Sequence, residues 1–211
     1  MVRKYLIMAI LTSLVFFFVG LIIGNALNSF SYAGKVESLL RQSEYNLDNY
    51  LLEKELFKTY GNENCDLFKS KINTLSSDLY TMGKFLTEEE KNPKLNPEDY
   101  KYIKTKYHLT QIRTYLIYYE LIEKCNLKDN IILYYYDYNN ESEQQGKILD
   151  KLVAENNLKV FAIKIGYDSS IKFLEDYYKI EKSPSLVVNY ECTLQGLSDE
   201  EEINKCLSKQ N

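Results

Sequence analysis

Hydrophobic positions along this chain fall into three successive regimes. From Tyr5 to Leu27 no charged residue interrupts a run that includes Leu14-Val15-Phe16-Phe17-Phe18. A helix of that length reaches ~34 Å, enough to cross a hydrocarbon core of ~30 Å. Arg3 and Lys4 precede the run, and the positive-inside rule keeps that end cytoplasmic and the rest extracytoplasmic. The pattern therefore predicts a single-pass cell-membrane protein: residues 1–30 are a cytoplasmic N-terminus and transmembrane anchor, and residues 5–27 lie in the bilayer. Ser31-Tyr32-Ala33 offers small residues at −3 and −1, so cleavage after Ala33 is the competing reading. The run exceeds the ~7–15 residues of ordinary signal sequences, which favours the anchor.

The second regime, 34–125, is helical. Val36, Leu40, Leu47 and Leu51 mark one side of an amphipathic helix over 35–59, with Gly61 as its stop. Over 64–86, Phe68, Ile72, Leu75, Leu79, Met82 and Leu86 are spaced 4, 3, 4, 3, 4, the seam of a coiled-coil-like hairpin. Asn96 caps a further helix with Pro97 in its first turn and Glu98 and Asp99 complementing its dipole. That helix carries Ile103, Tyr107, Leu116, Ile117, Leu121 and Ile122 and ends near Cys125. The region leaves open a homo-oligomer formed through these helices.

From Asn130 the period changes. Ile131–Tyr136 (IILYYY) is a continuous apolar run suited to a strand buried on both faces. A helix from Ser142 or Glu143 to Asn156 follows, with Ile148, Leu149, Leu152 and Val153 inward. Next come a strand over 158–165, a helix over 169–178, strands over 186–190 and about 193–195, and a last helix capped by Ser198 with Glu201 three residues on. Residues 126–211 thus read β-α-β-α-β-β-α, an α/β domain.

Composition narrows the function. The 26 Lys and Arg against 30 Asp and Glu give a net charge of −4, which excludes the basic face that phosphate neutralisation requires, so nucleic acid is not a partner. No Gly-rich phosphate loop, zinc motif or paired catalytic carboxylates appear. The one histidine, His108, is expected on a helix surface. Glu88–Glu90 and Glu200–Glu202 are expected on solvated faces or at helix starts.

Tyr178-Lys179-Ile180-Glu181-Lys182-Ser183-Pro184-Ser185-Leu186-Val187-Val188 resembles the segment of the thioredoxin-like superfamily in which a helix ends, a cis-proline follows and an apolar strand begins. Gly196, Ser198-Asp199-Glu200-Glu201 and Leu207 are similar to the closing hairpin and helix. The likeness covers about 130–207. It implies a cis Ser183–Pro184 bond and a thiol pair, Cys-x-x-Cys, between the first strand and its helix, where a helix N-terminus activates the thiol. Those positions here are Asn140-Glu141-Ser142-Glu143. Without cysteine there, the resemblance implies a non-enzymatic protein- or peptide-binding module, with Ser183, Pro184, Tyr138 and Asn140 forming its face. The alternatives are a thiol–disulfide oxidoreductase or isomerase using relocated cysteines, and a structural oligomerisation protein. No metal or other cofactor is expected.

Cys65, Cys125, Cys192 and Cys206 all follow the N-terminal run, and four cysteines allow three connectivities. Cys65 and Cys125 stand at broadly comparable distances from the loop near Asn92, at the open end of an antiparallel hairpin, which favours Cys65–Cys125. The resemblance, whose last helix packs back across the sheet, implies Cys192–Cys206. Asn140-Glu141-Ser142 is a candidate N-glycosylation sequon in an expected loop.

Overall fold

The structure is a computed structural model that describes residues 4, 12–24, 34, 36–38, 40–42, 44–45, 48–49, 51–52, 54–55 and 65–208, with backbone alone for Leu67 and Phe68. The chain divides into two units, residues 1–45 and 46–211.

In the first unit residues 12–24 are helical, and Arg41 pairs with Glu37 one turn earlier. The expectation of a transmembrane helix over 5–27 is corrected here. Among the described residues no helix is long and apolar enough to cross a membrane. The remainder of that run, Arg3 and the Ala33 site lie outside the described residues, as do Leu47 and Gly61.

The second unit begins, in its continuous part, with two antiparallel helices, α1 (Cys65–Lys91) and α2 (Pro97–Cys125). Their seam residues Ile72, Leu75, Met82 and Leu86 are buried within the chain itself. At Gly83 an added Cβ would lie 3.3 Å from the Tyr107 hydroxyl, a tight contact to which the phenol would have to yield by a few tenths of an ångström. The hairpin is fixed at both ends. At its turn the buried Glu89 carboxylate accepts from the Lys94 and Leu95 amides, both at 3.0 Å, and the Asn96 side chain caps α2 by accepting from the Asp99 amide. At the open end Cys65 and Cys125 are disulfide-bonded with Cα atoms 5.7 Å apart. Closing a loop of 60 residues stabilises by about 4 kcal/mol through the unfolded chain's lost entropy.

The change of period at Asn130 falls inside one hydrophobic core. Strand β1 (Asn130–Tyr136) is followed by α3 (Asn140–Glu155), β2 (Leu158–Lys164), a 3-10 turn (Ser169–Ile171), α4 (Lys172–Tyr178), β3 (Ser185–Val188), β4 (Cys192–Gln195) and α5 (Glu200–Leu207). The sheet order is β2-β1-β3-β4, with β1 parallel to β2 and β3 antiparallel to both β1 and β4. Alternation along β1 sends Ile131, Leu133 and Tyr135 toward Ile112, Tyr115 and Leu121 of α2 and Leu174 of α4. It sends Ile132 and Tyr134 toward Leu149 and Leu152 of α3 and Ile203 of α5. The sheet is a middle layer, which is why Ile131–Tyr135 are all buried.

Several boundaries differ from expectation for identifiable reasons. Helix α3 starts at Asn140, because the Asn139 side chain takes the Ser142 amide at 2.8 Å while the Ser142 hydroxyl accepts from Asp137. The capping box of α5 is Asp199 with Glu202, one residue later than expected, because the Ser198 amide donates to Gln145 and its carbonyl accepts from it. Val153, Leu116 and Leu51 remain 42%, 44% and 52% exposed instead of facing inward. Glu89 is buried and Glu90 ion-paired, so that run is not a solvated face. Cys192 and Cys206 form the second disulfide, Cα atoms 5.9 Å apart, and the Ser183–Pro184 bond is cis.

The Tyr135 hydroxyl is buried without a hydrogen-bond partner. An unsatisfied buried phenol carries its desolvation cost uncompensated. Tyr135→Phe should raise stability by about 1 kcal/mol, read as a higher urea midpoint at unchanged slope; a lower midpoint would show that the hydroxyl has a partner.

Candidate functional site

At the C-terminal end of β1 the chain turns into α3 and leaves a cleft of about 600 Å³. Tyr107, Tyr134, Tyr136 and Tyr138 line it, with Asn140, Gly146 and Ala162. The turn is held by its own side chains. The Tyr134 hydroxyl donates to the Ser142 carbonyl at 2.6 Å, and Asp137 accepts from the Tyr138 amide at 2.8 Å and pairs with Lys164 at 3.4 Å. Asn139 reaches across, its Nδ2 donating to the Ser183 hydroxyl at 3.0 Å, and so joins the turn to the loop carrying Pro184.

Behind this turn sits a buried cation. Lys104 of α2, its side chain 4% exposed, donates to Glu90 at 2.6 Å, to the Tyr138 hydroxyl at 2.9 Å and to the Tyr100 hydroxyl at 3.0 Å. Three donors meet three acceptors, so the ammonium is fully satisfied. The rings of Tyr100 and Tyr138 each lie 5.5 Å from it, and that of Tyr167 5.9 Å. Burial alone would depress the Lys104 pKa, but the bonds to Glu90, Tyr100 and Tyr138 outweigh it and hold the pKa above the ordinary range. On Glu90 burial likewise opposes the net effect, and hydrogen bonds from Lys104 and Tyr100 keep its carboxyl low. Burial also raises the phenols of Tyr107, Tyr134 and Tyr136, Tyr136 up to about 12. Tyr138 is 70% exposed yet held by two cations, Lys104 at its hydroxyl and Lys164 at 4.7 Å from its ring centre. An exposed aromatic ring fixed in this way loses little side-chain entropy when something docks on it.

His108 lies one turn further along α2 and is fully buried, correcting its expected place on a helix surface. Tyr167 packs edge-on against it at 5.1 Å. Burial, assisted by the Lys104 charge, pushes its pKa down to about 4, with the Ala162 backbone pulling weakly the other way. The Ala162 carbonyl is already taken by Gln111 at 2.7 Å, and neither His108 nitrogen makes a hydrogen bond of proper geometry. Gln111 also accepts from the Ala162 amide at 2.8 Å, which closes the outer edge of β2 at that residue.

The four residues expected to form a binding face divide as follows. Tyr138 and Asn140 line the cleft, Ser183 is bonded to its rim through Asn139, and Pro184 follows in the cis bond. Asn140, the sequon residue, is exposed in the first turn of α3, whereas Ser142 is buried. The cysteines are elsewhere. Cys192 is level with Val188 and, through it, with Ile132 near the start of β1, and Cys125 precedes that start. Both disulfides therefore lie at the opposite end of the sheet from the cleft. Among the described residues no cluster of His, Cys, Asp and Glu is arranged to hold a metal. Lys104, Tyr100, Tyr107 and Glu90 were not expected here. For Tyr100 and Lys104 the signal is a polar stripe, Tyr100, Lys104, His108, Gln111 and Tyr115, at helical spacing on the side of α2 that must face the sheet.

No protein-family model matches this chain, and no curated protein matches it in sequence. The cleft's chemistry must therefore speak for itself: phenols, amides and a fixed aromatic ring, with cations engaged behind them.

His108 makes stability depend on pH in a definite direction. Its folded pKa lies below the unfolded value of 6.5, so only the unfolded chain takes up the proton between pH 6.5 and 4. The native state should lose about 3 kcal/mol over that window, while His108→Phe, measured by urea unfolding at each pH, should lose less by that amount. The low carboxyl of Glu90 contributes stability that fades only as the pH falls below its ordinary range, beneath most of this window. Lys104→Met should cost about 1–3 kcal/mol at neutral pH, because Tyr100, Tyr138 and the half-buried Glu90 carboxylate lose the ammonium they share. In the same variant the Tyr138 ring should lose its order, seen as averaged aromatic NMR signals.

Proposed function

We propose that this chain carries an extracytoplasmic thioredoxin-like domain that works by binding an extended polypeptide segment and not by thiol exchange. The sheet order β2-β1-β3-β4, with α2 and α4 on one face and α3 and α5 on the other, and the proline loop leading into β3, support the thioredoxin-like reading. Two disulfides support a compartment outside the reducing cytoplasm. The observation that carries the binding reading is the joined rim: Asn139 ties the Tyr138 turn to Ser183, beside a cleft of tyrosines. A thiolate placed at the start of α3 would face that rim, but Asn140, Glu141, Ser142 and Glu143 occupy these positions and every cysteine is paired at the other end of the sheet. An extended peptide brings unpaired backbone groups and side chains at alternate positions, and the rim's amides and phenols match both.

The test uses peptides selected from a random library on the immobilised full chain. Their binding should shift the amide resonances of residues 138–142 and 182–185. Tyr138→Ala and Asn139→Ala should each weaken it by roughly tenfold. Insulin reduction by dithiothreitol should run no faster with the protein than without it. Shifts that map elsewhere, or thiol-dependent turnover of insulin, would remove this reading and return the relocated-cysteine enzyme to first place.

A further inference from the structure

A second concavity lies at the disulfide end of the sheet, away from the cleft. It is a groove of about 540 Å³ between α2 and α4, floored by the β3–β4 turn. Tyr119 and Leu116 rise on the α2 side and Phe173 and Tyr177 on the α4 side, one turn apart in each pair, and all four are between 44% and 75% exposed. The floor is Tyr190, which sits at φ 68° in a two-residue turn after Asn189 at φ 47°. A bulky residue there is disfavoured, since the left-handed region suits glycine. Its ring nevertheless packs 4.5 Å from Tyr115 and 5.0 Å from Tyr119, and its hydroxyl donates to the Tyr115 carbonyl at 2.8 Å. The aromatic walls are thus braced from below. The Tyr119 and Tyr177 hydroxyls have no hydrogen-bond partner among the described residues, and the two charged groups lining the groove are both carboxylates, Glu123 and Glu191.

We infer that this groove docks a proline-rich, extended segment of another protein carrying an arginine or lysine at one end. Three features select this occupant. A polyproline-type helix packs its rings between aromatic ridges and leaves its carbonyls unbonded, which gives the two free phenols something to donate to. An α-helical occupant has its carbonyls already satisfied and would leave both phenols unused. A second copy of this chain across a two-fold axis would bring Glu123 and Glu191 against the same carboxylates, whereas a basic residue neutralises them. The inference does not depend on the thioredoxin-like reading, because no residue of the groove belongs to the cleft or its rim.

Fluorescence anisotropy on the full chain tests it with three labelled ten-residue probes: a proline-rich peptide ending in arginine, the same peptide ending in glutamate, and an alanine-rich helical peptide ending in arginine. The arginine proline-rich probe should bind best, and its resonance shifts should fall on Tyr119, Tyr177 and Tyr190. Tyr177→Ala, at an exposed position, should weaken it by roughly tenfold. Tyr119→Phe, which removes one donor and keeps the ring, should weaken it several-fold, and Glu191→Lys should reverse the preference between the arginine and glutamate probes. Circular dichroism of each variant should match the parent. The inference is overturned by absence of binding up to ~1 mM probe, by equal or tighter binding of the helical probe, by variants that bind like the parent, or by sedimentation showing self-association that Tyr177→Ala abolishes.

Discussion

The double-sided burial of β1 is the constraint on which the rest of this molecule depends. A strand covered on both faces must carry apolar or satisfied side chains at every position and find hydrogen-bonding strands on both edges. Ile131–Tyr135 meet the first demand, and β2 and β3 the second. Covering one face then requires α2, so the helical pair is not an appendage but one wall of the core. The other face fixes α3, and with it the turn on which the cleft is built.

That arrangement explains why polar residues are buried in α2. The helix crosses near the edge of the sheet, and β2 has an unpaired outer side that must be dealt with. Gln111 does so with its amide, presenting both a donor and an acceptor to Ala162 as a neighbouring strand would. Two turns away Lys104 is tolerated because every proton on its ammonium has an acceptor. His108, between them, has no such compensation and stays neutral. The three residues share one stripe and differ only in how completely their hydrogen bonds are met.

Much of this was legible in the sequence wherever the signal was local. The IILYYY run, the Asn96-Pro97 cap, the succession of elements after Asn130, and the pairing of the cysteines were all visible there. Errors of one to three residues arose where two polar side chains competed for one cap, as at Asn139 against Ser142 and Asp199 against Ser198. The knot around Lys104 was not legible, because it joins Glu90, Lys104 and Tyr138 across separations of 14 and 34 residues. Periodicity counts a lysine or histidine as an outward residue, and only tertiary partners can turn it inward. The apolar N-terminal run shows the opposite case: its composition met a length rule, whereas no helix among the described residues is long and apolar enough to cross a membrane.

The placement of the two disulfides determines how the chain would bear a load. Tension applied to its ends passes from Cys65 directly to Cys125 and from Cys192 directly to Cys206, so α1, α2 and α5 are bypassed and cannot be drawn out. The force enters the sheet at the start of β1 and leaves at the start of β4, which point the same way and lie on either side of β3. Their hydrogen bonds are then loaded one after another, as a zip is opened, and not all at once in shear. Unravelling between Cys125 and Cys192 would release roughly 230 Å of contour at ~3.4 Å per residue, and no more while the sulfur bridges hold. The two covalent bonds thus set a hard stop on how far this part of the chain can be extended.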